Sequence, residues 1–244
     1  MKKILLVTLL IISFVASKSQ TVNSRAQDKL SSDIIITMLS PYIRDEIIKY
    51  YGYSKSYDLY NIEFKEISRI NGYRFYIKIL VKTFEHAHNP PYGNETITFE
   101  ISPSEVKVLD FNHQGDKYEK IIKQFYDDVL LDIKQSFSLN LNDFDEYKYN
   151  QLYHLSLSQE QFKSLYEIVK DIILNELKYE TKSGYKNVIE PVTYIKNNQG
   201  YILYKQSDGT NIVYKLEMDN NIWIIKNKLN KQGKVMDYKL KWYM

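Results

Sequence analysis

Asn71-Gly72-Tyr73-Arg74-Phe75-Tyr76-Ile77-Lys78-Ile79-Leu80-Val81-Lys82 is the stretch on which the fold turns. Phe75, Ile77, Ile79 and Val81 occupy odd positions, whereas Arg74, Lys78 and Lys82 occupy even ones. A period of two sends alternate side chains to opposite faces, so this is a strand of a sheet with one buried face. Asn71-Gly72 in front of it supplies the positive backbone torsions of a tight two-residue hairpin, which makes the preceding stretch its antiparallel partner.

Working outward, strand character covers residues 57–70, 73–88, 95–102 and 106–112. Before them, Ile34, Ile35, Met38, Leu39, Ile43, Ile47, Ile48 and Tyr51 recur at helical spacing. The pattern predicts a helix capped by Asp33, kinked or restarted at Pro41 and stopped at Gly52. After them a second helix is expected at 117–136, then an Asn-, Asp- and Tyr-rich linker over 139–153. A third helix starts at Ser158, where Ser158 and Gln161 resemble a capping box. Strands follow at 188–196, 200–206, 212–217, 221–229 and 235–242, joined by Asn- and Gly-bearing turns. The whole is an α+β chain of two units, each a helix followed by an antiparallel meander. Cystatin-like and nuclear-transport-factor-like curved sheets are analogies for such a unit. The expected division is a signal peptide (1–19), a polar leader (20–32), a first α+β domain (33–136), a linker (137–157) and a second α+β domain (158–244).

Met1-Lys2-Lys3 followed by the apolar run 4–15 has the length and flanks of a secretory signal peptide, with Ala16, Ser17 and Ser19 for cleavage after Ser17 or Ser19. Retention as an anchor is the alternative; no second apolar run could span a bilayer. The expected location is therefore secreted or cell-surface. Absence of Cys suits an oxidising exterior and excludes thiol nucleophiles, thiolate zinc sites and iron–sulfur clusters. The chain has 33 basic and 30 acidic residues, but Lys2, Lys3 and Lys18 account for the excess. Steering toward nucleic acid thereby loses its support.

The most unusual segment is His86-Ala87-His88-Asn89-Pro90-Pro91-Tyr92-Gly93-Asn94-Glu95-Thr96-Ile97-Thr98-Phe99. Together with Tyr50-Tyr51-Gly52 and Tyr57-Asp58-Leu59-Tyr60 it resembles a family of small secreted proteins of endospore-forming Gram-positive bacteria, known as a domain of unknown function. The resemblance covers about residues 33–112 and is carried by His88 to Gly93, with His86 outside the family pattern. It implies export and an independent domain, and brings no activity.

Two readings of His88, Asn89, Pro90, Pro91, Tyr92 and Gly93 stand. In one they stiffen a hairpin connection: Asn89 is held extended before proline, Tyr92 packs on the sheet and Gly93 adopts a torsion other residues resist. In the other they form a rigid loop presenting His88, Asn89 and Tyr92 to a ligand or protein partner. A metal reading is also open. His86 and His88, two apart, leave the same face of an extended strand, and Glu95 or His113 across the sheet could add a zinc ligand. No zinc-protease, serine-hydrolase or phosphate-loop motif occurs.

Local charge is uneven. Residues 127–146 are acidic, whereas Lys226, Lys228, Lys239 and Lys241 make a basic surface hairpin at the end. That hairpin reads as an edge strand guarded by lysines, as an attachment to an anionic envelope, or as a partner for the acidic stretch. These observations favour an exported, non-catalytic binding or interaction module without a cofactor, its partner an envelope component or another exported protein. The alternative is a metal-dependent hydrolase using His86 and His88.

Overall fold

The computed structural model describes residues 2–85, 88–177 and 189–236, the side chains of residues 2–26 aside. It is an α+β fold with two antiparallel sheets. The chain divides into two units, Met1–Asp45 and Glu46–Met244.

The first unit belongs to one helix, α1 (Lys2–Tyr51), which runs through Pro41 and past Asp33 without a break. The expected cap at Asp33 is absent for a local reason. Ser31, Ser32 and Thr37 donate their hydroxyls to the carbonyls of Gln27, Asp28 and Asp33 at 2.7–3.0 Å, four residues back, as these side chains do inside a helix. The buried stripe is Ile36, Leu39 and Ile43, continued by Ile47; Ile34 and Met38 face solvent. Gly52 ends the helix with φ +76°, its N–H bonded to the Ile48 carbonyl at 2.7 Å.

In the second unit, sheet A contains β1 (Ser56–Tyr57), β2 (Glu63–Asn71), β3 (Arg74–Glu85), β4 (Asn89–Ile101) and β5 (Val106–Gly115). β3, β4 and β5 form a meander, and β1 and β2 share the free side of β3. Ile77, Ile79 and Val81 are buried while Arg74 and Lys82 are exposed, so the alternation expected of β3 is realised.

α2 (Lys117–Ser136) has its expected limits, with Asp116 accepting the Glu119 N–H at 3.0 Å. The stretch expected as a linker is ordered: it carries β6 (Asp145–Tyr147) and α3 (Tyr149–Ser156). α4 (Glu160–Ile172) runs into a π-turn, Ile173–Leu177. Ser158 does not cap α4, because its N–H closes the end of α3 on the Leu155 carbonyl at 3.2 Å.

Sheet B lies in the order β10-β9-β8-β7-β6, from β7 (Val192–Lys196), β8 (Gln199–Lys205), β9 (Thr210–Asp219) and β10 (Ile222–Gln232). Its central strands β7, β8 and β9 bury apolar residues on both faces. Val192, Tyr194, Leu203 and Val213 pack with Phe125, Val129 and Ile133 of α2. The alternate residues Ile202, Tyr204, Ile212, Tyr214 and Trp223 pack with Leu152 of α3 and with α4. One helix therefore covers one face and two helices cover the other, a three-layer solution to a sheet with no polar side.

α2 is fixed to sheet B by a charge cluster. Lys205, 1% exposed, donates to the Asp132 carboxylate and to the Lys234 carbonyl (2.9 Å). Asn211 and the Lys234 N–H bond the same carboxylate oxygen at 2.9 and 3.1 Å. Burial alone would raise the Asp132 carboxyl, but the bonds from Lys205, Asn211 and Lys234 outweigh it and hold it below its ordinary 3.8. A carboxyl depressed in the folded state stabilises the fold fully above its unfolded value and loses that contribution as pH falls through the folded one. Asp132→Asn is expected to cost about 1–2 kcal/mol near neutral pH. It should also flatten the loss of stability below about pH 4. Urea unfolding midpoints of both proteins across acid pH check the two effects together.

Candidate functional site

The segment expected as a Pro-braced loop is a strand. β4 begins at Asn89, which pairs with Glu85. The register resumes at Thr83↔Gly93, leaving Pro90, Pro91 and Tyr92 opposite Phe84 alone. Prolines have no N–H to give a ladder, and they sit where the ladder is interrupted. The Pro90–Pro91 peptide is cis. His88 takes the positive torsion (φ 67°) and stacks on Phe84 with ring centroids 3.9 Å apart. Tyr92 donates its hydroxyl to the His88 carbonyl, and Lys82 lies 4.3 Å over the Tyr92 ring.

Gly93 does not have the unusual torsion expected of it; space makes it glycine. A Cβ there would meet Glu95 Oε1, Thr83 Oγ1 and, at 2.7 Å, the Tyr51 hydroxyl. These atoms belong to a polar cluster in sheet A. Glu95 is 0% exposed and accepts from Tyr51 (2.6 Å) and Thr83 (2.8 Å) on Oε1. His113, directly across from Glu95 in the β4–β5 ladder, places Nδ1 2.9 Å from Glu95 Oε2. Its Nε2 lies 3.0 Å from Glu119 Oε1, in the first turn of α2. Gly115, paired with Gly93, makes room for Glu119, since a Cβ there would fall on Glu119 Oε2.

Carboxylates accept, so a His113 ring N–H has an acceptor waiting on either side. Burial, and next the bond to Glu95, push the Tyr51 phenol above its ordinary value, so it stays a donor. Each ring nitrogen faces a carboxylate, and neither is left for a substrate. The arrangement is a clamp that ties the end of α1 and the start of α2 to β3, β4 and β5.

Of His86, His88 and Glu95, the metal ligands expected from the sequence, only His88 and Glu95 lie among the described residues. His86 lies outside the described residues, and His88 stacks on Phe84 while Glu95 is enclosed by Tyr51, Thr83 and His113. Among the described residues no group of three potential metal ligands converges. In the basic hairpin, Lys226 pairs with Glu217 at 3.0 Å and Lys228 with Glu176 at 2.7 Å. Lys239 and Lys241 lie outside the described residues.

A cleft of about 310 Å³ is lined by residues 53–56, the end of β3 and α3 with the residue after it. Tyr53, Phe84, Tyr153 and Leu157 form its apolar walls. Lys55 and Glu85 form a 3.2 Å ion pair within it, with Lys55 only 4% exposed and 4.4 Å over the Tyr51 ring. Tyr53 donates to the same oxygen, Glu85 Oε1, at 3.0 Å. The local backbone explains the placement: β1 pairs Ser56 with Phe84, and Asn150, Tyr153 and His154 stand at i, i+3 and i+4 on one side of α3. Gln151 locks α3 in position by donating to the Tyr51 carbonyl at 3.0 Å and accepting the Lys148 N–H at 2.9 Å. None of Lys55, Glu85, Tyr153 or His154 was marked by sequence reasoning. The helical spacing of Asn150, Tyr153 and His154 was the available signal.

Fold and site together define an α+β protein with a carboxylate–imidazole–carboxylate chain in sheet A and a separate cleft at the end of β3. Residues 31–114 match a family described as a protein of unknown function (DUF3888). The match takes in Tyr51, Thr83, Glu95 and His113 of the clamp and stops short of Glu119. No curated protein and no solved structure matches the chain. Among the described residues no helix is long and apolar enough to cross a membrane.

Proposed function

We propose that the chain is an exported, non-catalytic binding module acting at the cell envelope or outside the cell, with the cleft beside His88 as its ligand site. The observation that carries this reading is a division of labour. Glu95, His113 and Glu119 are bonded to one another, while Tyr53, Phe84, Tyr153 and Leu157, with the Lys55–Glu85 pair and His154, line the open space. Apolar walls with a few placed polar groups are the usual make-up of a small-ligand site. Export rests on the basic start, the apolar run 4–15 and the small residues after it.

The protein recovered from culture should co-sediment with purified envelope material. Tyr153→Ala, at a half-exposed position, should release it to the supernatant while its circular dichroism stays unchanged. Equal sedimentation of the two proteins, or none of either, would overturn the reading. N-terminal sequencing of the secreted chain tests the cleavage expected after Ser17 or Ser19.

A further inference from the structure

We infer that the outward face of α1 pairs with the same face of a second copy of this chain, antiparallel and centred on Met38. The helix is apolar on two sides. Ile36, Leu39 and Ile43 are buried, whereas Leu30, Ile34, Met38 and Tyr42 are 54%, 52%, 70% and 37% exposed. These four recur at every fourth position and so form one row along the helix. Pro41, also exposed and three residues after Met38, adds its ring to that row. At 3.6 residues per turn the row runs along the side away from Ile36 and Ile43. Contiguous exposed apolar surface marks a contact site. Rows of side chains at i, i+4 are the ridges that interdigitate in the commonest packing of two helices.

Charge identifies the occupant. Asp33 and Arg44 lie eleven residues apart, about three turns, and therefore share one flank of the row. They stand five residues before Met38 and six after it. In an antiparallel pair centred on Met38, Ile34 meets Tyr42 and Met38 meets its counterpart. Asp33 then comes level with Arg44 at both ends, because a two-fold interface uses each contact twice. A parallel pair would hold the two charges about 16 Å apart along the axis. Arg44 gives up little to turn toward Asp33. It rests 3.5 Å from its neighbour Asp45, with both side chains more than half exposed. The same charges disfavour a membrane surface. Asp28, Asp33 and Asp45 outnumber Lys29 and Arg44 over residues 28–45, whereas helices that lie on anionic membranes are rich in Lys and Arg. Residues 30–42 span about 20 Å of helix, less than a standard interface of about 800 Å² per partner needs. The association is accordingly weak and concentration-dependent.

Sedimentation equilibrium of the purified full chain between roughly 1 μM and 1 mM should show a reversible dimer. Met38→Glu sets two like charges face to face at a position 70% exposed. It should weaken the dimer about tenfold or more, with circular dichroism unchanged. Asp33→Arg and Arg44→Asp should each weaken it, and the two together should restore it. The chain has no cysteine, so single thiols report the register. Met38→Cys should cross-link into a dimer under diamide. Leu30→Cys should not, since the two copies of residue 30 lie about 24 Å apart along an antiparallel pair. A monomer throughout the range, or a dimer indifferent to Met38→Glu, would overturn the inference. Cross-linking through Leu30→Cys as readily as through Met38→Cys would overturn the antiparallel register. Flotation of a monomeric chain with phosphatidylcholine vesicles, lost in Met38→Glu, would assign the row to lipid and overturn the pairing.

Discussion

Glu95→Ala is expected to lower the stability of the fold by about 3–5 kcal/mol, the combined cost of leaving three buried hydrogen-bonding groups without their acceptor. The side chain is wholly enclosed, and three groups from three different elements depend on it. Alanine leaves the Tyr51 hydroxyl, the Thr83 hydroxyl and His113 Nδ1 without their acceptor in a space water does not reach. Each orphaned buried group costs on the order of 1–3 kcal/mol. Glu95→Gln keeps one accepting oxygen and the shape, so it should recover about half of the loss. Urea unfolding of the three proteins measures it. A loss under 1 kcal/mol for the alanine variant would mean that the cluster does not hold α1 and α2 to the sheet.

Gly93→Ala should rank next, at about 2–3 kcal/mol, by overpacking. The methyl group has no free volume: Glu95, Thr83 and Tyr51 surround it, and each is held by bonds to the others. Gly115→Ala is the instructive control, because its nearest neighbour is the Glu119 carboxylate, the end of a flexible and partly exposed side chain (35%). Glu119 can swing away, surrendering only its bond to His113, so a cost of about 1 kcal/mol is expected. The order of the two alanine variants in a thermal melt is the measurement. Equal effects would show that crowding around the clamp, and not its bonded rigidity, sets the requirement for glycine.

The sheets were legible in the sequence because their signals are local. The alternation in β3 and the Asn220-Asn221 turn each depend on a few consecutive residues and are realised. The hairpin signalled by Asn71-Gly72 forms one residue on, with Gly72 and Tyr73 between the paired Asn71 and Arg74. The limits of α2 were legible through its amphipathic period and Asp116. Composition misled at residues 139–153. Asn, Asp and Tyr suggest a linker, yet Leu141 and Leu152 are buried, and Tyr149 stacks on Tyr166 with their hydroxyls 3.2 Å apart. The Pro-Pro-Tyr-Gly segment misled for a related reason. Turn residues also serve where a strand must skip its ladder, and only the partner's register distinguishes the two. Glu95 and His113 each stand out in the sequence as alternative third ligands for His86 and His88, but their pairing across the β4–β5 ladder is not foreseen there. Glu119 comes from a different element and has no counterpart in any local pattern. The cleft is further still from the sequence, being assembled from β1, the end of β3 and α3.

Phenols resting on carboxylates recur through the molecule: Tyr51 on Glu95, Tyr53 on Glu85, Tyr194 on Glu146, and Tyr204 and Tyr214 on Glu176. Small exported proteins commonly fasten distant segments with sulfur, and this chain has none. Its fasteners are held by protons instead of electrons. Reductants and thiol exchange therefore have nothing to open, and oxidants cannot lock a misfolded form in place. The weakness is moved to the alkaline side, where a phenol whose folded pKa is raised loses its contribution as pH climbs past the unfolded value of 10.0. Such a protein keeps its shape whatever the redox state of its surroundings.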